Sequence, residues 1–300
     1  MNKEKNICVV GLIGRPNVGK STLMNGLVDY NVAIVTSVPQ TTRDEIKGIY
    51  NDEDSQIIFL DCPGIHKEYN LLSKKLNEKT QQVIQEAELI LFLTPANEKI
   101  GNGDNYIIEK LKSLNVKNKI AVITKVDLIR NKENLEKKVS YLKDLGFDLV
   151  MGVGLNMPTT YKDLIEEIKK YSHKDIPLYD EDEVTDVSMR FIAKEIIREA
   201  AIPKLRDEIP HSIAVEIEDF KEEFDNYGED LFRIYATIYT KRESQKSIIV
   251  GKAGSMIKNI STEARKKMEL DWGVKVFLNV RVKVDEDWVE NEVKIKRYGY

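Results

Sequence analysis

Gly14-Arg15-Pro16-Asn17-Val18-Gly19-Lys20-Ser21 matches G-x-x-x-x-G-K-[ST] at every fixed position. Residues 6–13 before it form a nearly unbroken apolar run, and residues 21–28 after it carry helical spacing. Strand, glycine-rich turn and helix in that order make a nest of backbone N–H groups for phosphate oxygens, and the helix start adds its positive dipole end. In that frame Lys20 reaches the β and γ phosphates of a nucleotide, the Ser21 hydroxyl ligates Mg2+, and Thr22 completes the nucleotide-binding stretch.

Outward from this loop, short apolar strands alternate with helical segments. Strands are expected at 6–13, 46–50, 56–60, 89–93, 119–123 and 149–153, and helices at 21–28, 71–86, 103–114, 132–145 and 161–171. Apolar strands alternating with helices predict an α/β domain with a mostly parallel, doubly wound sheet covered on both faces. The short turn at 51–55 makes the second and third strands an antiparallel pair. Residues 172–187 carry Pro177 and an acidic run from Asp180 to Glu183, and read as a linker. Beyond it come a helix at 187–200, strands at 212–218 and 231–239, a helical pair around Gly251–Gly254, and a strand at 274–284. That last strand puts Val274, Val276, Leu278, Val280, Val282 and Val284 on one face and Lys275, Asn279, Arg281 and Lys283 on the other, which describes a small sheet backed by helices. The resulting division is 1–173, linker 174–187, and 188–300.

Composition agrees with two globular domains: 300 residues, 42% hydrophobic and 32% charged. No apolar run approaches the roughly 18 residues that span a bilayer. The run at 7–13 leads straight into the phosphate loop and reads as a buried first strand rather than a signal-peptide core. Cys8 and Cys62 lack metal-ligand spacing and fit a reducing cytoplasm. The net charge is −4, yet residues 241–300 hold 14 Lys and Arg against 9 Asp and Glu, so an acidic body carries a mildly basic C-terminal piece.

The base and the metal are read from two strand ends. Asp61-Cys62-Pro63-Gly64 closes an apolar strand, where a Mg2+-linked aspartate belongs; the Gly64 N–H can meet the γ-phosphate. Thr124-Lys125-Val126-Asp127 closes another and resembles the guanine element [NT]-K-x-D of GTPases. Asp127 can accept both guanine N1–H and N2–H, and the Lys125 stem can pack on the base. In Gln40-Thr41-Thr42-Arg43 a threonine is expected to close on Mg2+ when the γ-phosphate is present: Thr42, with Thr41 as the alternative. The last guanine element falls on Gly154-Leu155, where Ser-Ala is usual, so weaker base affinity is expected. Ile65 occupies the place where Ras-like enzymes orient water with a glutamine, and His66 beside it reads as solvent-facing. Either another group orients the water or, as expected here, intrinsic hydrolysis is slow until a partner completes the site. Asn17 sits where potassium-activated GTPases ligate K+; the alternative is that it only stabilises the loop.

Gly251-Lys252-Ala253-Gly254 is a G-x-x-G between helical segments, in helix–strand–strand–helix–loop–helix–strand order, and resembles a type II KH domain, whose loop approaches RNA phosphates. The segments 190–199, 208–212, 245–252 and 261–269, with Gly14–Thr22, Gln40–Arg43 and Thr124–Asp127, are similar to those of the Era family of ribosome-assembly GTPases over nearly the whole chain. Departures are Cys62 for threonine, Thr124 for asparagine, Ala253 for glycine and Gly154-Leu155 for Ser-Ala.

The resemblance implies an Era-type P-loop GTPase domain followed by an α+β type II KH domain. It implies GTP and GDP as ligands, Mg2+ with K+ as a further candidate through Asn17, and RNA contacts from Gly251, Lys252, Ala253, Gly254, Lys246 and Lys258. Small-subunit ribosomal RNA near its 3′ end and the small ribosomal subunit are the implied partners, late subunit maturation the implied role, and a monomer the implied state. Cytoplasmic location with peripheral contact at the inner membrane surface is also implied. Two rivals are an RNA-binding assembly factor with a nucleotide-insensitive G domain, and an ATP-using kinase or transport ATPase, which Asp127 disfavours.

Overall fold

The computed structural model describes residues 4–35, 43, 45–65, 70–129, 132–147, 149–206 and 209–300. Most of the chain up to Asp186 forms one compact unit, and Val187–Tyr300 forms the body of a second.

The first unit contains β1 (Lys5–Gly14), α1 (Lys20–Val28), β2 (Ile46–Asn51), β3 (Ser55–Asp61), α2 (Leu71–Glu86), β4 (Leu89–Pro95), α3 (Asn102–Ser113), β5 (Lys119–Thr124), α4 (Lys132–Asp144), β6 (Leu149–Val153), α5 (Pro158–Lys169) and β7 (His173–Asp175). Its sheet runs β2-β3-β1-β4-β5-β6, with β7 beside the start of β1. All pairings are parallel except β2–β3 and β1–β7. Every residue of β3 and β4 is buried, as strands covered on both faces must be. The carboxyl ends of β1, β3 and β5 gather Gly14, Asp61 and Thr124 along one edge of the sheet, where α/β proteins hold ligands.

β7 is absent from the sequence reading. Three charged or polar, exposed residues give no periodicity to detect. The stretch read as a linker is stitched to the sheet. The Ile49 N–H donates to Val184 O at 2.9 Å, Thr185 Oγ1 donates to Lys47 O at 2.7 Å, and Gln56 Nε2 donates to Tyr179 O at 2.9 Å.

The second unit contains α6 (Met189–Ala201), α7 (Ile209–Ser212), β8 (Ala214–Phe224), β9 (Asp230–Thr240), α8 (Glu243–Val250), α9 (Ser255–Trp272), β10 (Lys275–Val284) and α10 (Glu292–Arg297). The sheet order is β10-β9-β8. β8 runs antiparallel to β9, and β10 parallel to it. A parallel neighbour needs a crossover, and α8, the G-x-x-G loop and α9 supply it. Ile260, Ala264 and Met268 recur every four residues along α9 and pack with Ile192, Ile196, Ile234 and Ile238 in one core. The alternation of β10 is as expected: Val276, Leu278, Val280 and Val282 join that core.

Two expectations change here. Ser212 ends α7 instead of opening a strand, and β8 continues to Phe224 instead of stopping at Glu218. A register shift between Ile217 and Asp219 breaks the alternation that a sequence reader follows. The α10 helix was also missed, although its N-cap was readable: Asn291 Oδ1 accepts from the N–H groups of Val293 and Lys294.

Candidate functional site

β1 ends at Gly14 and α1 begins at Lys20, so the loop between them is short and its shape is set from both ends. Gly19 takes the left-handed conformation (φ 101°, ψ 23°) as N-cap of α1, and no side chain caps that helix. The first backbone N–H groups of α1 are therefore presented toward the loop. Lys20 is buried, with Nζ 3.4 Å from Gly14 O and 3.2 Å from Arg15 O. These two carbonyls aim the ammonium across the mouth of the loop. Asn17 is left-handed at φ 62°, a conformation asparagine tolerates better than most residues. The Arg15 side chain turns away from the loop toward Glu98 and Asp104.

Ser21 Oγ donates to Asp61 Oδ2 at 2.6 Å. Burial pushes the Asp61 carboxyl pKa up, while the Lys20 charge and the Ser21 hydroxyl oppose the shift. Asp61 Oδ1 is buried with no hydrogen-bond partner among the described residues. A hydroxyl and a carboxylate side by side, with an acceptor left over, suit a hard cation such as Mg2+ reached through water. The described residues contain no group of three His, Cys, Asp or Glu that could cage a metal. A cation bound here would draw further ligands from outside this pair, nucleotide oxygens and water among them.

Cys62 fills the place of a threonine as an apolar side chain. Its Sγ donates to Leu12 O at 3.3 Å, and burial pushes the thiol up to about 12. Pro63 O accepts from Thr80 Oγ1 at 2.9 Å, which fixes the backbone just before Gly64. A Cβ on Gly64 would stand 2.6 Å from Pro16 N, so only glycine permits this approach of the two loops. Ile65 is buried in the apolar cluster with Ile13, Leu60 and Phe92, and so contributes packing there. Thr41, Thr42 and His66 lie outside the described residues.

At the end of β5, Thr124 Oγ1 donates to Val18 O at 2.5 Å. Lys125 is left-handed (φ 59°), and its Nζ donates to Asn17 O at 2.9 Å. Among the described residues Asp127 Oδ1 is buried with no hydrogen-bond partner, and Asp127 Oδ2 accepts a long 3.5 Å contact from Asn156 Nδ2. A half-buried carboxylate with one covered, open acceptor suits the N1–H and N2–H pair of guanine. Gly154 lies against it, since a Cβ there would be 3.0 Å from Asp127 Oδ1, while the Leu155 side chain is exposed. Asn156 is a neighbour that sequence reading missed; a polar residue just after β6 was the available signal.

In the second unit, Gly251 (φ 72°, ψ 176°) and Gly254 (φ 78°, ψ 11°) bracket the loop, and Ala253 is itself left-handed at φ 50°. Lys252 and Lys258 are exposed. Lys246 is partly neutralised by Glu243 at 2.7 Å.

Comparison with known proteins agrees with this geometry. The model of a 50S ribosome-binding GTPase matches residues 9–125, and that of a KH domain matches residues 208–289. GTPase Era of Mycoplasmopsis agalactiae is 47% identical over 294 residues, covering 98% of this chain and 99% of that protein. The chain belongs to the Era family of GTPases.

Its Era relatives include that of Fusobacterium nucleatum, 40% identical over 97% of both chains. A point variant of Aquifex aeolicus Era bound to GDP·AlF4− superposes with a TM-score of 0.93, at 34% identity over 98% of this chain and 99% of that one. Era in complex with MgGDPNP and nucleotides 1506–1542 of 16S ribosomal RNA also gives 0.93, at 33% identity over 99% of each chain. The Era fold is therefore shared throughout: a mostly parallel P-loop GTPase domain, then a KH domain. Like its family, the chain is a GTPase that converts GTP to GDP and phosphate. Among the described residues no helix is long and apolar enough to cross a membrane.

Proposed function

We propose that this chain is a GTP-switched RNA-binding protein that holds small-subunit ribosomal RNA near its 3′ end and assists late maturation of the small subunit. The observation that supports it most is similarity over 99% of each chain to an Era captured with MgGDPNP and a 16S ribosomal RNA fragment. The residues here suit the same ligands: an open buried acceptor at Asp127, another at Asp61, and an exposed lysine in the G-x-x-G loop.

In this reading residues 1–173 act as the G domain, 174–187 join the two, and 188–300 bind RNA. The loop from Gly14 to Ser21 and the start of α1 at Thr22 wrap the phosphates, with Lys20 on the β and γ groups. Asp127 selects guanine, Lys125 and Gly154-Leu155 flank the base, and Gly64 meets the γ-phosphate. Ser21, Asp61 and Thr42 hold Mg2+, which when bound neutralises charge on the β and γ oxygens. Cys62, Pro63 and Ile65 shape the loop. With Ile65 packed inward, this loop offers no side chain in the glutamine's place to orient water. Slow turnover follows until K+ at Asn17, or a partner, completes the site.

Gly251, Lys252, Ala253 and Gly254, with Lys246 and Lys258, meet the RNA backbone, and half-exposed Ile248 offers an apolar contact for a base. The protein works as a monomer in the cytoplasm, with peripheral contact at the inner membrane surface.

Binding to purified small subunits, measured with a GTP analogue and with GDP, tests the reading. Tighter binding with the analogue is expected. Lys252→Asp should weaken binding while leaving nucleotide affinity intact, and Asp127→Ala should abolish guanine preference. Equal binding in both nucleotide states would instead favour a nucleotide-insensitive assembly factor.

A further inference from the structure

Arg15 carries a long cationic side chain within the phosphate loop, yet that side chain is spent elsewhere. Its Nε lies 2.9 Å from Asp104 Oδ2, and its Nη2 donates to Glu98 Oε2 at 2.9 Å. Asp104 is fully buried near the start of α3, and the same Oδ2 accepts the Gly101 N–H at 2.9 Å, closing the first turn of that helix. Burial alone would lower the Arg15 pKa; the carboxylates of Asp104, paired with it by charge, and of Glu98 outweigh it, and the net shift is upward. The guanidinium is thus a fixed charge.

Gly103 makes the slot for it. A Cβ at Gly103 would stand 2.6 Å from Arg15 Cδ and 3.2 Å from Cγ. Here, in the first turn of α3, the missing side chain lets the arginine stem lie flat against the helix. The Glu98 side of the slot is also held. Buried Lys138 donates to Pro95 O at 2.6 Å and to Glu98 O at 2.9 Å, which secures the turn after β4.

The other end of Arg15 is the site itself. Its carbonyl, together with that of Gly14, accepts from the Lys20 ammonium. The side chain that α3 clamps and a carbonyl that aims Lys20 belong to one residue and are joined through its single Cα.

We infer that Asp104, assisted by Glu98 and the slot at Gly103, is a positioning residue for GTP hydrolysis: it anchors Arg15 so that the loop carbonyls hold Lys20 at the place of the transferring phosphate. It touches no nucleotide and acts only through Arg15. Released from α3, the peptides at 14–16 can rotate, and Lys20 loses its alignment with the charge that develops in the transition state. Ground-state grip on the diphosphate, which rests on many backbone N–H groups, changes less. The signature is a fall in kcat larger than any change in GDP affinity.

Asp104→Asn in the full chain tests this. It keeps the shape and an acceptor for the Gly101 N–H but removes the charge. Misalignment of about an ångström at a reacting centre can cost up to about a hundredfold, so a fall in kcat of about tenfold is expected, with the GDP dissociation constant moved less than about threefold. Arg15→Lys keeps the charge but loses the fork. It should show the same split, and the double variant should be no slower than the worse single one. A lowered melting temperature with kcat unchanged would reduce Asp104 to a helix cap and overturn the inference. Losses that multiply in the double variant would overturn it as well. Should Asp104→Asn fail to fold, Glu98→Gln, at the exposed end of the clamp, must lower kcat by about two- to threefold; no change there, with Arg15→Lys also at wild-type kcat, overturns it.

Discussion

Thr124 Oγ1 donates to the carbonyl of Val18 at 2.5 Å, so the end of β5 is bonded to the phosphate loop by residues 106 apart in sequence. The hydroxyl thus supplies a link at the position where asparagine is usual. Lys125 Nζ adds a second link to Asn17 O at 2.9 Å. The two loops proposed to hold the base and the phosphates of one ligand are thereby tied to each other.

Thr124→Val keeps the volume and removes the donor. A buried carbonyl left unpaired costs about 1–3 kcal/mol. Thermal melts should show a drop of several degrees, and guanine nucleotide affinity should fall by about tenfold, since 1.4 kcal/mol is a factor of ten. An unchanged dissociation constant in calorimetry would show that the link does not serve binding.

Gly64→Ala places a methyl group 2.6 Å from Pro16 N, and a backbone atom cannot swing aside as a flexible side chain can. The loop after Asp61 must retreat from the phosphate loop. GTP turnover should drop by about a hundredfold, in line with displacement at a reacting centre, while GDP affinity stays near wild type. Full turnover in a single-cycle assay would contradict the close approach.

Asn17 is judged by salt identity. If it holds K+, turnover in KCl should exceed that in NaCl of equal ionic strength by about tenfold, as one well-placed charge in a dry site can supply. Asn17→Ala should erase the difference. Equal rates in both salts would leave Asn17 a purely conformational role in the loop.

Lys138 makes stability depend on alkaline pH. Burial pushes its ammonium down from 10.5 to about 8. Below about pH 8 the folded and unfolded chains both hold the proton, and no slope arises. Between about 8 and 10.5 only the unfolded chain holds it, so raising the pH favours the folded state. Relative to Lys138→Met, the wild type should therefore gain about 2–4 °C in melting temperature on going from about pH 7 to about pH 10. A constant difference would show that the amine titrates normally.

Most of the G-domain strands, the phosphate loop and the two strand-end aspartates were legible because each rests on local signals: apolar runs, a fixed glycine spacing, a carboxylate where a run ends. The β10 alternation was legible for the same reason. Where local pattern and tertiary demand part, reading failed. The bulge at Ile217 hid half of β8. The three polar residues of β7 pair with β1 through backbone alone. The partners of Arg15 could not be read at all, since nothing in Gly14–Ser21 names Asp104 or marks Gly103 as a slot. The same holds for Asn156, which reaches Asp127 only because β5 and β6 lie side by side.

The parallel pairing of β9 with β10 has a practical corollary. The G-x-x-G segment is the midpoint of a bridge whose two piers are hydrogen-bonded strands, so its span is dictated by the distance between them. Substitutions within it can retune the grip on a phosphate chain. Excising residues from it would pull a strand out of register, and a shortened loop would be lost to proteolysis before any change in recognition could be measured.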